Sequence, residues 1–323
     1  MKKYNWAILG TGNIAREMAV ALNEVNGEVY GAYNRNLDKA RKFAEEFNVK
    51  NIYVNCDEML KDKNIDIIYI STPHNCHYEY LLKAVNSGKH VLCEKAITVN
   101  SKQLDEVLEL AKKKNVIVQE AMTIYHMPLY KKLRELVNSG ALGKIKMIQA
   151  NFGSCKEYDV TNRFFSKELA GGALLDIGVY ATSFARYFME SKPEVIKTTV
   201  KYFETGVDEE SATILRNKED EMVVMGLTMR AKQPKRGIVS GELAFIEVNN
   251  YPRADKATIT YTKDGKTEEI SAGDNSKALN YEVEDMQKYI ENLTGEKEIK
   301  LSSDVSHILS EIREKWGFVY PFE

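Results

Sequence analysis

The chain has 323 residues, of which 44% are hydrophobic and 28% are charged, and its formal net charge at pH 7 is −2. Single hydrophobic cores stop growing near ~250–300 residues, so a chain of this length predicts two domains. The balanced charge argues against nucleic acid or an anionic membrane as the main partner, and no apolar stretch reaches the ~18 residues that a membrane helix needs. The four cysteines have no close spacing, which favours reduced thiols in a cytoplasmic protein.

Up to about residue 120, short apolar runs alternate with segments of helical spacing. The predicted strands are "YNWAILG", "EVYGAYN", "IYVN", "IDIIYIST", "KHVLC" and "VIVQEA", and a helix is expected between each pair. The run "IDIIYI" is almost entirely apolar, as expected of a strand covered on both faces. This alternation predicts a parallel, doubly wound Rossmann sheet.

Beyond residue 120 the pattern changes to alternating strands. After a helix in "MPLYKKLRELVNSGALG", we predict strands in "KIKMIQANFG", "TTVKYFE", "ATILRN", "MVVMGLTMR", "ELAFIEVNN" and "ATITYT". These runs predict an open, mostly antiparallel sheet within an α+β domain. We therefore expect one domain over residues 1–121 and a second over residues 122–323, with the closing helices able to pack back on the first domain.

The stretch "GTGNIA" follows the first predicted strand and opens a helix. Gly10 and Gly12 fill the first two positions of the dinucleotide fingerprint, and Ala15 fills the third. Such a turn lets backbone N–H groups and the helix N-terminus approach a pyrophosphate. The alternative is a purely structural glycine turn, although the strand–turn–helix setting favours the nucleotide.

The end of the second strand bears on which dinucleotide binds. An acidic residue at this place would hold the ribose 2′-OH of NAD, but the chain has Asn34 and Arg35 there. A guanidinium suits a 2′-phosphate, so we predict NADP, with NAD as the alternative. Arg35 could also be a surface arginine that begins a charged helix.

Lys95 directly follows the apolar run "HVLC" and Glu94, where the fifth strand of the sheet ends. The carboxyl ends of these strands border the ligand crevice, so Lys95 is expected where nicotinamide and substrate meet. Partial burial would lower the pKa of its ammonium group and suit it to proton transfer. The alternative is a solvated surface lysine.

A second candidate cluster lies in "GGALLDIGVYATSFARYF". Asp176 and Tyr180 are four residues apart, which places them on one face of an otherwise apolar helix. They are candidates for proton transfer. The alternative is structural packing, with Asp176 near a helix N-terminus.

The whole set of motifs resembles the Gfo/Idh/MocA oxidoreductase family, from "GTGNIA" through "STPHNCHYE", "GKHVLCEKA" and "GGALLDIGVY" to "EKWGFVYPFE". Within it the chain is most similar to the branch of dimeric dihydrodiol dehydrogenase and NADP-dependent D-xylose dehydrogenase. The resemblance implies NAD(P)-dependent oxidation of a sugar, polyol or diol, or reduction of the matching carbonyl. It also implies catalysis by Lys95 and Tyr180 supported by Asp176, a role of Arg35 in NADP use, and a homodimer or higher homo-oligomer formed through the C-terminal sheet.

Further cofactor contacts are expected from the segments that line the family's crevice. The predicted cofactor-binding residues are Gly10, Thr11, Gly12, Asn13, Ile14, Asn34, Arg35, Ser71, Thr72, Pro73, His74, His77, Glu94 and Lys95. His74 and His77 could instead hold a metal, but no further ligand cluster accompanies them, so we predict no metal site.

Two positions depart from the family pattern. The lysine motif is usually Glu-Lys-Pro but has Ala96 here, so tertiary contacts must hold Lys95. Thr123 replaces a tryptophan of the branch, and Tyr125 with His126 replaces Arg-Phe, which makes an aromatic diol a poorer substrate prediction. The predicted substrate contacts are Lys95, Thr123, Tyr125, Asp176 and Tyr180. These departures keep open the alternative of a non-catalytic dinucleotide-binding sensor or regulatory subunit.

Overall fold

A computed structural model describes residues 3–25 and 27–323. The chain divides into two compact units, one formed by Met1–Met122 with Leu279–Lys300 and the other by Thr123–Ala278 with Leu301–Glu323. In this described part, no helix combines the length and the apolar character that a membrane span requires.

The first unit alternates strands and helices along its first 122 residues. Its strands are β1 Asn5–Leu9, β2 Glu28–Tyr33, β3 Asn51–Ile52, β4 Ile67–Ile70, β5 His90–Glu94 and β6 Val118–Ala121. Its connecting helices are α1 Asn13–Glu24, α2 Leu37–Phe47, α3 Cys56–Lys61, α4 His74–Asn86 and α5 Ser101–Lys114. The strands pair in parallel in the order β3-β2-β1-β4-β5-β6, which is the Rossmann order. The predicted fold class is therefore confirmed for this unit.

Burial and helix capping explain why these segments fold locally. All four residues of β4 are buried, and each fully buried aliphatic side chain contributes about 1.5–3 kcal/mol. Asn36 caps α2 by accepting a hydrogen bond from the Lys39 N–H, and Asn100 caps α5 in the same way. Asn115 ends α5 in the left-handed conformation that asparagine tolerates.

The second unit is built on a larger sheet. Its strands are β7 Ile145–Gly153, β8 Val195–Tyr202, β9 Asp208–Arg216, β10 Met222–Thr228, β11 Gln233–Gly241, β12 Ala244–Asn249, β13 Lys256–Tyr261 and β14 Thr267–Ser271. They lie in the order β14-β13-β12-β11-β7-β10-β9-β8, and of the pairs described β7–β10 alone is parallel. The mostly antiparallel sheet is thus confirmed, but β11 and β14 were not predicted.

Helices cover one face of this sheet. Those before the closing segment are α6 Thr123–His126, α7 Pro128–Asn138 and α8 Val179–Phe188, and the π-helical turn Leu174–Gly178 leads directly into α8. The turn and α8 pack on β7 and β10, where Val223, Met225 and Leu227 are buried. Val224, on the opposite face of β10, is 38% exposed.

The closing helices are α9 Ala278–Asn292 and α10 Glu296–Trp316. Residues of α9 and of the turn after it bond within the first unit: Asn280 Nδ2 donates to Glu24 Oε2 at 2.9 Å, and Gln119 Nε2 donates to the Gly295 carbonyl at 2.8 Å. The boundary between the two units then falls inside α10, after Lys300.

Candidate active site

The glycine turn between β1 and α1 has the geometry of a phosphate cradle. Gly10 has a φ of +99°, and a Cβ atom there would lie 2.8 Å from the Ser71 carbonyl oxygen, so this position requires glycine. Gly12 is the N-cap of α1, and a Cβ atom built on it meets nothing within 4 Å. Within the described residues, no side chain caps this helix start, which Asn13 and Ile14 begin. Open space beside uncapped N–H groups fits a bound pyrophosphate.

Asn34 and Arg35 lie just after β2, beside this turn. Asn34 Nδ2 donates to Thr11 Oγ1 at 2.8 Å, which ties the end of β2 to the glycine turn. The Arg35 side chain is exposed. Burial raises the pKa of the Cys76 thiol and the charge of Arg35 opposes the rise, so the guanidinium lies near the start of α4. In the part of the chain that the structure describes, Arg35 forms no ion pair with a carboxylate.

The backbone after β5 is held on three consecutive residues. His74 Nε2 lies 3.1 Å from the Lys95 carbonyl oxygen, and His77 Nδ1 lies 3.0 Å from that of Ala96. The Ile97 N–H donates to Glu120 Oε1 at 3.0 Å. These contacts fix the backbone at and just after the half-buried Lys95. The peptide bond between Lys95 and Ala96 is cis.

His77 also contacts a second carbonyl. Its Nε2 lies 2.8 Å from the Thr72 oxygen, in the loop Ser71–Pro73 that follows β4, and its side chain is fully buried. Carbonyl oxygens only accept hydrogen bonds, and each ring nitrogen lies within hydrogen-bonding distance of one of them. The buried Glu120 side chain accepts the Ile97 N–H in the same segment. The loop after β4 and the chain at Lys95 are thereby joined.

Glu94 ends β5 next to Lys95. The hydroxyl of the fully buried Tyr69 donates to Glu94 Oε1. Burial first, and then the negative charge of Glu94, raises the pKa of Tyr69 well above its usual value. Tyr69 therefore stays a hydrogen-bond donor to this carboxylate.

In the second unit, Asp176 and Tyr180 lie in adjoining helical segments of different geometry. Asp176 is in the π-helical turn Leu174–Gly178, and Tyr180 is in the first turn of α8. The segment is therefore not α-helical throughout, and a common face for Asp176 and Tyr180 stays a prediction, because residues four apart lie close in angle in both kinds of helix. Arg163 Nη2 lies 3.6 Å from Asp176 Oδ1. The Tyr180 side chain is half-buried, and its ring centroid lies 6.0 Å from that of Phe152.

A buried carboxylate that the sequence did not reveal holds the start of this helix. The Leu174 N–H donates to Asp208 Oδ2 at 2.6 Å. Gly172 precedes it with a φ of +116°, and a Cβ atom there would lie 2.0 Å from Asp208 Oδ1. Burial raises the pKa of Asp208 to about 6, although backbone N–H donors and the charge of Arg313 oppose the rise. Tyr320 adds a second anchor, because its hydroxyl donates to the Gly171 carbonyl at 2.7 Å.

Thr123 and Tyr125, two predicted substrate contacts, are packed inside the second unit. Thr123 is 4% exposed, and its hydroxyl donates to the Pro252 carbonyl. Tyr125 is 2% exposed, and its ring stacks on that of Tyr187 with the centroids 6.2 Å apart. Substrate contact by either side chain stays a prediction.

The predicted histidine pair takes part in hydrogen bonding. Both His74 and His77 direct ring nitrogens at backbone carbonyls. Among residues 3–25 and 27–323, no group of three or more His, Cys, Asp and Glu side chains is arranged to hold a metal ion. The cysteines are free: Cys56 and Cys93 are buried, Cys76 is half-buried and Cys155 is exposed.

Both halves of this chain are similar in sequence to known proteins. A family model described as "Oxidoreductase family, NAD-binding Rossmann fold" matches residues 4–122, and one described as "GFO/IDH/MocA C-terminal domain" matches residues 130–247. Trans-1,2-dihydrobenzene-1,2-diol dehydrogenase of Xenopus laevis is 33% identical over 330 residues, which cover 98% of this chain and 99% of the relative. The chain belongs to the Gfo/Idh/MocA oxidoreductase family.

Other relatives extend this comparison. The scyllo-inositol 2-dehydrogenase (NADP(+)) of Bacillus subtilis is 29% identical, with 98% of each chain covered. Levoglucosan dehydrogenase, solved with NADH and levoglucosan, has a TM-score of 0.89 at 19% identity, with 98% of each chain covered. A 3-ketoreductase from Actinomadura kijaniata, solved with NADP and TDP-benzene, has a TM-score of 0.86 at 19% identity, covering 97% of this chain and 98% of that one. These two structures establish the shared fold.

As a Gfo/Idh/MocA protein, the chain is an NAD(P)-dependent oxidoreductase that acts on CH–OH groups. The predicted family and class of activity are confirmed. Solved relatives carry NADP in one case and NADH in the other, so the family establishes a nicotinamide dinucleotide without distinguishing the two.

Proposed function

We propose that this protein exchanges a hydride between NADP(H) and a hydroxyl or carbonyl carbon of a small sugar, polyol or diol. The observation that carries the proposal is the support of the backbone from Lys95 to residue 97 at three points, by His74, His77 and Glu120. A lysine on a solvated surface needs no such support, whereas a proton-transfer group must be held in one position. Full-length similarity to dehydrogenases of a diol and of an inositol agrees with this substrate class.

The residues of the first unit would hold the dinucleotide. The pyrophosphate fits the open space at Gly12 and the uncapped start of α1, and Arg35 would bind the 2′-phosphate of NADP. When bound, the nicotinamide accepts or supplies the hydride at its C4 atom. We assign nucleotide binding to residues 1–121, and substrate binding and oligomerisation to residues 122–323.

Proton transfer is assigned to Tyr180 and Lys95. Tyr180 exchanges the proton of the substrate hydroxyl, and Lys95 is the second group assigned to the proton transfer. Asp176, which Arg163 approaches to 3.6 Å, supports the site. Turnover followed by NADPH absorbance over a panel of sugars, polyols and diols tests the assignment. Turnover of any member of the panel supports the assignment. Nucleotide binding with no turnover of any member contradicts it.

The rival function is a dinucleotide-binding sensor or regulatory subunit. One observation favours it: the Thr123 hydroxyl donates a hydrogen bond to the Pro252 carbonyl. At the position of Thr123, the related branch has a tryptophan beside the substrate. The same panel separates the two functions, because a sensor binds NADPH and shows no turnover above the rate without enzyme.

We also propose a cytoplasmic homodimer closed through the larger sheet. Val224 pairs with Ile214 on one side and with Gln149 on the other, and Gln149 pairs with Ile238, so these side chains form a row across the sheet. Ile214 is 43% exposed and Phe245, on the same sheet, is 39% exposed. Apolar side chains grouped on one face favour burial against a second copy of the chain.

A further inference from the structure

One edge of the larger sheet gathers positive charge. β10 runs parallel to β7 with Thr228 opposite Gly153, and β11 runs antiparallel to β7 with Gln233 opposite the same glycine. The ends of β7 and β10 and the start of β11 therefore lie together. The cationic side chains at or just beyond these points, with one from the turn after β12, are Lys156, Arg230, Lys232, Lys235 and Arg253. We call this group the cationic edge.

The members of the cationic edge act on one another. Arg230 Nη1 donates to the Lys156 carbonyl at 2.8 Å. Lys235 is exposed, and partial desolvation together with the positive charges of Lys156, Arg253 and Lys232 lowers its pKa. In the residues that the structure describes, none of Lys156, Lys232 and Lys235 forms an ion pair with a carboxylate. Like charges held close together repel, and an anion bound among them relieves the repulsion.

This edge adjoins Tyr180. The Lys235 Nζ lies 4.8 Å from the ring centroid of Phe152, and that ring lies 6.0 Å from the ring of Tyr180. Tyr251, two residues before Arg253, also contacts Phe152, with the ring centroids 6.1 Å apart. A single aromatic ring thus separates the Lys235 ammonium from the candidate proton-transfer residue.

We propose that Lys235, together with Lys156, Lys232 and Arg253, binds an oxyanion group on the substrate, either a phosphate ester or a carboxylate. The inference rests on the proposed function, because it takes Tyr180 as the residue at the reacting hydroxyl. Lysine and arginine bind phosphates and carboxylates through charge-assisted hydrogen bonds.

The test compares matched substrates at constant ionic strength. Each neutral sugar is assayed beside its phosphate ester and its carboxylate, with NADP⁺ or NADPH as the second substrate. We expect kcat/KM for one anionic form to exceed that for the neutral sugar by about tenfold or more. Preference for the ester or for the acid identifies the group. Equal kcat/KM for all three forms overturns the inference, while turnover itself keeps the proposed function.

Variants show whether Lys235 carries the preference. Lys235→Gln should lower the anionic-to-neutral ratio of kcat/KM about tenfold, mainly through KM for the anionic form, and Lys235→Arg should restore it. Lys263→Gln, an exposed lysine in the turn between β13 and β14, is the matched control and should leave the ratio unchanged. A ratio that Lys235→Gln does not alter refutes the assignment.

Direct binding separates this inference from the proposed function. If no sugar is turned over, the proposed function fails, but titration of the protein with inorganic phosphate still tests the cationic edge. Tighter phosphate binding by the wild type than by Lys235→Gln supports an oxyanion site. Equal binding by the two proteins rejects it.

Discussion

Asp208 offers a prediction whose sign and size follow directly from its surroundings. Its carboxylate is 3% exposed at the start of β9 and accepts the Leu174 N–H, at the start of the turn that carries Asp176. Asp208→Asn keeps an oxygen acceptor and nearly the same volume, but it removes the titrating proton. The substitution therefore isolates the protonation of this one buried group.

Burial raises the pKa of Asp208 from 3.8 to about 6 in the folded protein. The folded state therefore holds a proton that the unfolded state releases between these two values. The stabilising contribution is fully present below the unfolded pKa and is lost as the pH rises through the folded pKa. A shift of about two units corresponds to roughly 3 kcal/mol, since one unit is about 1.4 kcal/mol.

The measurement is the free energy of unfolding in urea from pH 4.5 to 7.5. Trp316 reports on the second unit, where its indole N–H donates to Thr198 Oγ1 at 3.0 Å. A Trp6→Phe background removes the other tryptophan from the signal. The unfolding free energy of the wild type minus that of Asp208→Asn should fall by about 1.4 kcal/mol per pH unit up to pH 6 and then level off.

The matched control is Asp264→Asn, which neutralises an exposed carboxylate in the turn before β14. Its difference from the wild type should not show the fall expected for Asp208→Asn. A wild-type minus Asp208→Asn difference that is constant, or that grows with pH, would show that burial does not raise the pKa of this group and would refute the reasoning.

The remaining predictions concern catalysis, cofactor choice and assembly. Tyr180→Phe should lower kcat by about 10²–10⁴-fold with NADPH affinity nearly unchanged, because it removes a proton-transfer group. Lys95→Ala should lower kcat by at least the same factor. The double variant should lower kcat by much less than the product of the two single factors, because residues that act as a unit are non-additive. Near wild-type kcat in both single variants would contradict the proton-transfer roles. Titration calorimetry should show that the wild type binds NADPH about 10–150-fold more tightly than NADH. Arg35→Ala should remove this preference, and the control Arg41→Ala should keep it. Equal wild-type affinities for the two nucleotides exclude the NADP assignment. Light scattering should give a dimer for the wild type and the 36.8 kDa monomer for Val224→Lys, and a monomeric wild type rules out the dimer.

Much of the fold could be predicted because its signals are local. The alternation of strands and helices up to β6 and the glycine turn depend on spacings of a few residues. The strand β11 was missed because it begins Gln-Pro-Lys-Arg, and proline and charge within a run argue against a strand. The π-helical turn at Asp176 was missed because its residues have the apolar spacing of an ordinary helix. Neither feature has a local signal strong enough to oppose the default interpretation.

The sequence motifs of the candidate site could be identified from the sequence. The residues that hydrogen-bond its backbone were harder to predict. His74 and His77 were expected to line the cofactor crevice, and the structure directs their rings at the carbonyls of Lys95 and Ala96. Glu120 was not singled out, because its partner Ile97 is 23 residues away. A carboxylate within the apolar run "VIVQEA" was the available signal, since a buried acid needs a hydrogen-bond partner.

Both candidate catalytic segments are held in the same physical way, and this affects how a pH profile is interpreted. A buried carboxylate accepts a backbone N–H beside each segment: Glu120 near Lys95, and Asp208 at the start of the turn before Tyr180. Protonation weakens such a bond, because an ionised acceptor binds an N–H more strongly than a neutral one. Since the pKa of Asp208 is raised to about 6, activity can fall on the acid side of neutrality through a group that never touches substrate. If the pH profile of kcat shows an acid-side pKa near 6 and Asp208→Asn retains that pKa, it belongs to the chemistry of Lys95 or Tyr180. If Asp208→Asn loses that pKa, it belongs to Asp208, which supports the start of the turn before Tyr180.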